Sequence, residues 1–252
     1  MQTQAAAEFG ATKAQAGRFG WAKLMALGGA IAAIGPIVPM IPEGFEPFLA
    51  MMAAPFLVGL VLLRFARKTG IVWLGVVSLA LLVMNAPFTV DAITHPESPA
   101  DFVPVTMLTV GGLLAVIATI PAFRNARGRQ SDSAFPKAAA VTGVLLVVTA
   151  IGASLVAANG VTSDAPADGS LIVDMENFEF GPGTITAQKG EVSLYVTNND
   201  SARHTFTVDE LGVDESIAPG QSKQITFDAE AGEFRFYCKP HDPGMEGELK
   251  IQ

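Results

Sequence analysis

The sequence predicts a chain in two parts: a membrane α-helical bundle of five transmembrane helices, then an all-β sandwich. Three observations carry this. Half of the residues are hydrophobic and only 16% are charged, against about 25% charged in ordinary soluble domains. The apolar residues of the first part gather into five long runs. After residue 170 the runs become short and alternating, punctuated by Gly, Pro, Asn and Asp, which is the signature of strands joined by turns.

The five runs cover residues 24–41, 48–63, 71–90, 102–123 and 138–158. Each approaches the ~20 apolar residues that span a bilayer as a helix. The second is short. Residues 1–20 are small and polar and include Lys13 and Arg18; with so many apolar segments following, an uncleaved first span is expected rather than a signal peptide. Trp21 and Trp73 stand near span ends, where indole rings favour the membrane interface. Gly35-Pro36, Pro39 and Pro42 can break the first helix or simply end it.

Loop charges orient the spans. Lys13, Arg18 and Lys23 precede the first; Arg64, Arg67 and Lys68 follow the second; Arg124, Arg127, Arg129 and Lys137 follow the fourth. The loops 42–47 and 91–101 contain no Lys or Arg. Positive residues stay on the cytoplasmic side. The N-terminus is therefore expected in the cytoplasm and the C-terminal part outside the cytoplasmic membrane, which requires the odd number of spans counted. No ionisable residue lies deep in a span, and Asn85 is the main polar exception. Transporters and proton pumps place ionisable groups there, and the absence of histidine removes axial ligands for a membrane haem. An anchor and docking platform is the reading these spans support; a quinone or lipid pocket between helices is the alternative.

Residues 159–170, NGVTSDAPADGS, carry almost no bulk and are expected to form a flexible linker. The expected domains are thus 1–158, the linker 159–170 and a β domain 171–252. Strands are expected at 171–175, 184–187, 191–198, 204–208, 222–228, 232–238 and 248–251, with turn signals such as Gly181-Pro182-Gly183, Pro219-Gly220 and Ala231-Gly232 between them. Residues 159–252 hold six Lys and Arg against seventeen Asp and Glu, a net of −11. Such a surface repels nucleic acid and favours basic protein partners.

Chemistry concentrates in 234–249, FRFYCKPHDPGMEGEL, which contains the only cysteine, Cys238, followed by His241 and Met245. A thiolate, an imidazole and a thioether form a soft, mixed donor set that suits copper better than calcium, magnesium or a structural zinc. A His₂Cys site with a weak axial Met needs a second imidazole. Three histidines exist, so the choice is His95 or His204, and His204 at the head of an alternating run is the better candidate. Strand alternation puts Phe234, Phe236 and Cys238 on one face, and His204, Phe206 and Val208 on one face. Both ligands then enter from the end of a core-facing row, and Pro240 and Pro243 stiffen the loop that returns His241 and Met245. Taken singly, a buried Cys, a core Met or a hydrogen-bonded His needs no metal; it is the four together that point to one.

The segments VTNNDSARHTFTV, APGQSKQITF and FYCKPHDPGMEGEL together resemble a cupredoxin, the blue-copper fold of plastocyanin and amicyanin, over about 80 residues from Leu171 to Gln252. The three residues between His241 and Met245 make a loop longer than amicyanin-like ones and shorter than plastocyanin-like ones. The resemblance implies a Greek-key sandwich holding one type 1 copper ion through His204, Cys238, His241 and axial Met245. It implies a membrane-anchored carrier of single electrons, with membrane lipid and a basic redox protein, such as a cytochrome c or a terminal oxidase, as partners. One cysteine cannot build a binuclear copper centre, and three histidines cannot build a multicopper oxidase, so no catalytic residue is expected. A module that delivers or senses copper outside the cell is the alternative, and a structural subunit with incidental copper a third reading.

Overall fold

The computed structural model of the chain describes residues 19–43, 45–129 and 133–252; the expectations resting on Lys13 and Arg18 lie outside the described residues. The chain divides into two compact units, one of Met1–Asp91 with Pro104–Ala150, the other of Ala92–Val103 with Ile151–Gln252.

The helices are α1 (Trp21–Ile37), the short α2 (Met40–Glu43), α3 (Pro47–Phe65), α4 (Arg67–Met84), α5 (Ala86–Ile93), α6 (Pro99–Ala126) and α7 (Phe135–Asn159). By length and composition, α3, α4, α6 and α7 are able to cross a membrane. The run at 24–41 is divided between α1, an apolar helix of 17 residues, and α2. The break falls at Pro39, which has no N–H to carry the helical ladder on past Val38. The run at 48–63 makes a longer helix than expected: Pro47 occupies its first turn, and the Glu46 side chain accepts the Phe48 N–H, closing an otherwise unpaired donor. The run at 71–90 is interrupted. α4 ends at Met84, Asn85 leaves helical geometry with φ −90° and ψ 2°, and its side-chain amide donates to the Leu81 carbonyl at 2.9 Å. Pro87 then sits in the first turn of α5, where a missing N–H costs nothing.

Small residues let the helices of the first unit approach. A Cβ on Gly28 would stand 2.6 Å from the Gly111 carbonyl oxygen, and one on Gly111 would stand 2.5 Å from that of Gly28. α1 and α6 therefore touch backbone to backbone, a contact any larger side chain would open. Trp73 does more than mark a span end, since its indole N–H donates to the Pro55 carbonyl at 2.8 Å.

The second unit contains the β-sandwich. One sheet has the order β2-β1-β4-β7 and the other β3-β9-β8-β5-β6. The strands are β1 (Leu171–Glu176), β2 (Glu179–Gly181), β3 (Thr184–Ala187), β4 (Gly190–Asn198), β5 (His204–Val208), β6 (Val213–Ile217), β7 (Ser222–Ala229), β8 (Gly232–Tyr237) and β9 (Glu246–Ile251). Val173, Leu194, Val196 and Ile225 from the first sheet meet Phe206, Phe236 and Leu249 from the second in one core. β4 alternates buried and half-buried side chains along most of its length, as a strand with one core face should.

Three features differ from expectation. β2 and β6 are additional strands; β2 has three residues, and β6 carries Asp214, Glu215 and Ser216, residue types that rarely announce a strand. β5 is buried along its whole length rather than on one face. Its second face is polar but covered: the Thr207 hydroxyl donates to Asp214 and lies in hydrogen-bond contact with the Thr205 hydroxyl, which accepts the Lys239 N–H. Finally, residues 162–164 are tied to the sheet edge. Asp164 N–H donates to the Ser222 carbonyl, its carboxylate accepts the Gln224 N–H, and the Ser163 hydroxyl accepts the Ser222 N–H. The stretch read as a free linker thus covers β7, an edge strand whose open donors would otherwise invite pairing with another chain.

Candidate metal centre

Strand pairing assembles the site. β5 and β8 run antiparallel, with Thr207 opposite Tyr237, so the head of β5 lies beside the tail of β8. His204 opens the first strand and Cys238 follows the second. The Thr205 N–H donates to Cys238 Sγ at 3.3 Å. The chain then folds back through a 3-10 turn at Lys239–His241. His241 N–H donates to the Cys238 carbonyl at 3.1 Å, Met245 N–H to the His241 carbonyl at 3.1 Å, and Cys238 N–H to the Met245 carbonyl at 3.0 Å. The last two bonds bring Met245 back against Cys238, and the Met245 side chain is buried in the core.

The donor atoms of His204, Cys238 and His241 lie within 4.8 Å of one another. Sγ is 3.5 Å from His204 Nδ1 and 3.3 Å from His241 Nδ1, and the two Nδ1 atoms are 3.1 Å apart. Both imidazoles present the same nitrogen to one point. His95 is not in this cluster; its Nδ1 meets the Thr94 hydroxyl at 3.1 Å.

Burial sets the protonation of the three donors. Burial lowers the pKa of both imidazoles, and the neighbouring His204 lowers that of His241 further. They stand neutral, as metal ligands must. Burial raises the Cys238 thiol pKa against the opposing pull of the Thr205 and His241 N–H groups. A thiolate in this place needs a metal to neutralise it, and the Thr205 N–H is already aimed at it.

The sequence reading missed three contributors. Thr205 is one. Asp200 is the second: its Oδ2 lies 2.8 Å from His204 Nε2, which fixes the tautomer that leaves Nδ1 free to bind. Its carboxylate also accepts the Asn177 N–H at 2.7 Å and the Phe178 N–H at 3.0 Å. Burial pushes the Asp200 pKa up, but these hydrogen bonds win and hold it below the usual value. Its place four residues before His204 was the available clue. Phe178 is the third, with its ring edge-on to both imidazoles, at 5.5 Å from His204 and 4.9 Å from His241. Nothing local to Phe178 points to the site. The Arg203 N–H, next to His204, donates to Asp101 Oδ2 at 2.9 Å, so the segment Ala92–Val103 reaches the same end of β5 within this unit.

A sandwich with two imidazoles and a thiolate at one end defines a blue-copper class of protein. A family model described as a cupredoxin-like domain matches residues 143–251. The chain is 31% identical over 120 residues to chloroplastic plastocyanin of Chlamydomonas reinhardtii, covering 42% of this chain and 81% of that protein. The chain belongs to the cupredoxin family. Among solved structures it resembles an oxidised proline-to-glycine variant of amicyanin, at 18% identity and TM-score 0.32, over 36% of this chain and 90% of that one. It also resembles a copper-containing nitrite reductase from Thermus scotoductus SA-01, at 22% identity and TM-score 0.30, over 37% of this chain and 24% of that one. Copper is the metal this family and this donor set call for.

Proposed function

We propose that the protein carries single electrons on a type 1 copper ion held by His204, Cys238 and His241, with Met245 as the weak axial ligand. The observation that carries this reading is the convergence of one sulfur and two Nδ1 atoms from β5, the end of β8 and the returning loop. Bound copper supplies a one-electron couple between Cu(II) and Cu(I). The chain's part is to hold the ligands still. Two hydrogen-bonded strand ends and a loop closed by the Cys238–Met245 backbone bond leave little to rearrange. No catalytic residue is proposed.

In this reading the domains are 1–158, 159–170 and 171–252, and the sandwich is a Greek key. Five spans, counting α1 with α2, fix the chain in the cytoplasmic membrane with its N-terminus in the cytoplasm and its copper domain outside. The support is the Lys and Arg asymmetry of the loops. The partner is a basic redox protein such as a cytochrome c or a terminal oxidase, drawn by the net charge of −11 over residues 159–252.

The test is an optical and redox titration of the detergent-solubilised chain loaded with Cu(II). Intense visible thiolate-to-copper absorption with a reversible one-electron wave is expected. Colourless copper that exchanges rapidly with chelators would overturn the electron-carrier reading in favour of copper delivery. A reporter fused after Gln252 should work only outside the membrane, and one at Gly128 only inside; the reverse pattern would overturn the orientation.

A further inference from the structure

We propose that the turn Asn177–Phe178 is a clamped cover over the two imidazoles, and that Phe178 is the positioning residue for His241. The inference rests on the copper reading above for its metal readout but not for its geometry.

The two histidines are held very differently. His204 is fully buried, sits in the ladder of β5 opposite Ile217, and is pinned at Nε2 by Asp200. His241 is half-buried and stands on a single 3-10 turn. Among the described residues, the hydrogen-bond contacts of its ring are made through Nδ1, to His204 and Cys238. Those are the contacts that a metal would replace. Two ring contacts remain, each at 4.9 Å, one with His204 and one with Phe178, and of these only Phe178 comes from outside the ligand set.

Phe178 does not reach that place by chance of rotamer. Asn177 and Phe178 have φ of +57° and +62°, the left-handed region that a bulky residue rarely adopts. Two consecutive residues of this kind make the tight turn between β1 and β2, and both of their N–H groups are taken by the Asp200 carboxylate. The same Oδ2 that receives the Phe178 N–H also meets His204 Nε2. One carboxylate therefore ties the cover to the first ligand, and the cover's ring rests on the second. The Phe178 side chain is 47% exposed, so it contributes little to the core. An aromatic ring half in water, on a strained backbone, is explained by what it covers.

The consequence is water exclusion at the open edge of the site. Removing the ring admits water beside His241, which favours the more highly charged Cu(II) form and loosens the ligand. Phe178→Gly is the decisive variant, because glycine suits the left-handed φ and removes no core side chain. In the copper-free full chain, modification of His241 by diethyl pyrocarbonate, located by mass spectrometry, should accelerate several-fold, and Phe178→Leu should restore the slow rate. In the copper-loaded chain, the same Gly variant should keep its colour, show a lower reduction potential, and release copper to a chelator about tenfold faster, in the range seen when a supporting contact to a ligand is lost. Asp200→Ala, which unclamps the turn with the ring still present, should also accelerate His241 modification. Unchanged modification in Phe178→Gly would overturn the cover, and so would a rate that Phe178→Leu fails to restore. A wild-type chain that takes up no copper would sink the electron-carrier reading, while the modification experiment would still decide the cover.

Discussion

The helical region and the sandwich put the same residue types on opposite sides. Among the described residues, the large apolar side chains that stand exposed, such as Val61, Val76, Leu113 and Val148, all lie before Gly160, except Ile172 and Phe178. In the sandwich, Phe206 and Phe236 are fully buried and stack at 5.1 Å. On α3 only 17% of the most apolar window is buried. A soluble unit with that surface would aggregate. The difference teaches that the two regions suit different solvents, one hiding apolar surface from water and the other exposing apolar surface on helices able to cross a membrane. The rule also gives Ile172 and Phe178 their interest. They break the pattern of the sandwich, and Phe178 breaks it over the candidate metal centre.

The contrast can be tested by substitution. The largest effect is expected at the centre itself: Cys238→Ser should abolish the intense blue absorption, since an alcohol does not supply the thiolate-to-copper transition; a blue Ser variant would show that the ligand is misassigned. Next comes Phe206→Ala, which opens a cavity between Phe180 and Phe236 and should cost about 3–5 kcal/mol in denaturant unfolding of the copper domain. The corresponding truncation of Leu113, 48% exposed on α6, should barely register. Leu113→Lys, by contrast, should raise the cost of membrane insertion by about 3 kcal/mol. If Leu113→Lys inserts as well as wild type, α6 is not a span.

A smaller effect follows from pH. The folded pKa values of His204 and His241 are lowered by burial. On acidification through about 6.5 the unfolded chain takes up protons that the folded, copper-free chain refuses. Stability of the copper-free protein should therefore fall as pH drops below about 6.5 and level off above it. Copper, by holding both nitrogens, should lower the folded pKa values further and extend the fall in stability to lower pH. A flat copper-free profile would mean that the imidazoles are open to water.

The smallest expected effect is that of salt on the partner reaction. Net charge argues for strong steering, but the acidic residues along the ligand loop and β9 are matched. Arg235 pairs with Asp242 and Glu246, Lys239 with Asp214, and Lys250 with Glu248. The field at the site is then the residue of distant charges, and association should slow only moderately as salt screens it. A rate that rises with salt would replace the basic partner with an apolar docking face.

The sequence by itself determined the division into apolar helices and a β part, most strand positions, and the choice of His204, Cys238 and His241, whose donor atoms the fold gathers. These are legible because hydrophobic periodicity is local, and because soft donors are few in this chain. Tertiary structure alone decided the rest. Asn85 interrupts a run that hydropathy reads as continuous, through a bond of its own side chain to Leu81. The polar stretch before β1 looks the same whether it is loose or, as here, bonded along β7. β5 is buried on both faces because Tyr237, Lys239 and Asp214 cluster over its threonines, and alternation cannot see neighbours from other strands. The Asp200 clamp joins residues 22 and 23 positions apart in the chain to a ligand on a third element. Periodicity reports which face a residue prefers; only the folded chain decides which residues from distant strands come to share that face.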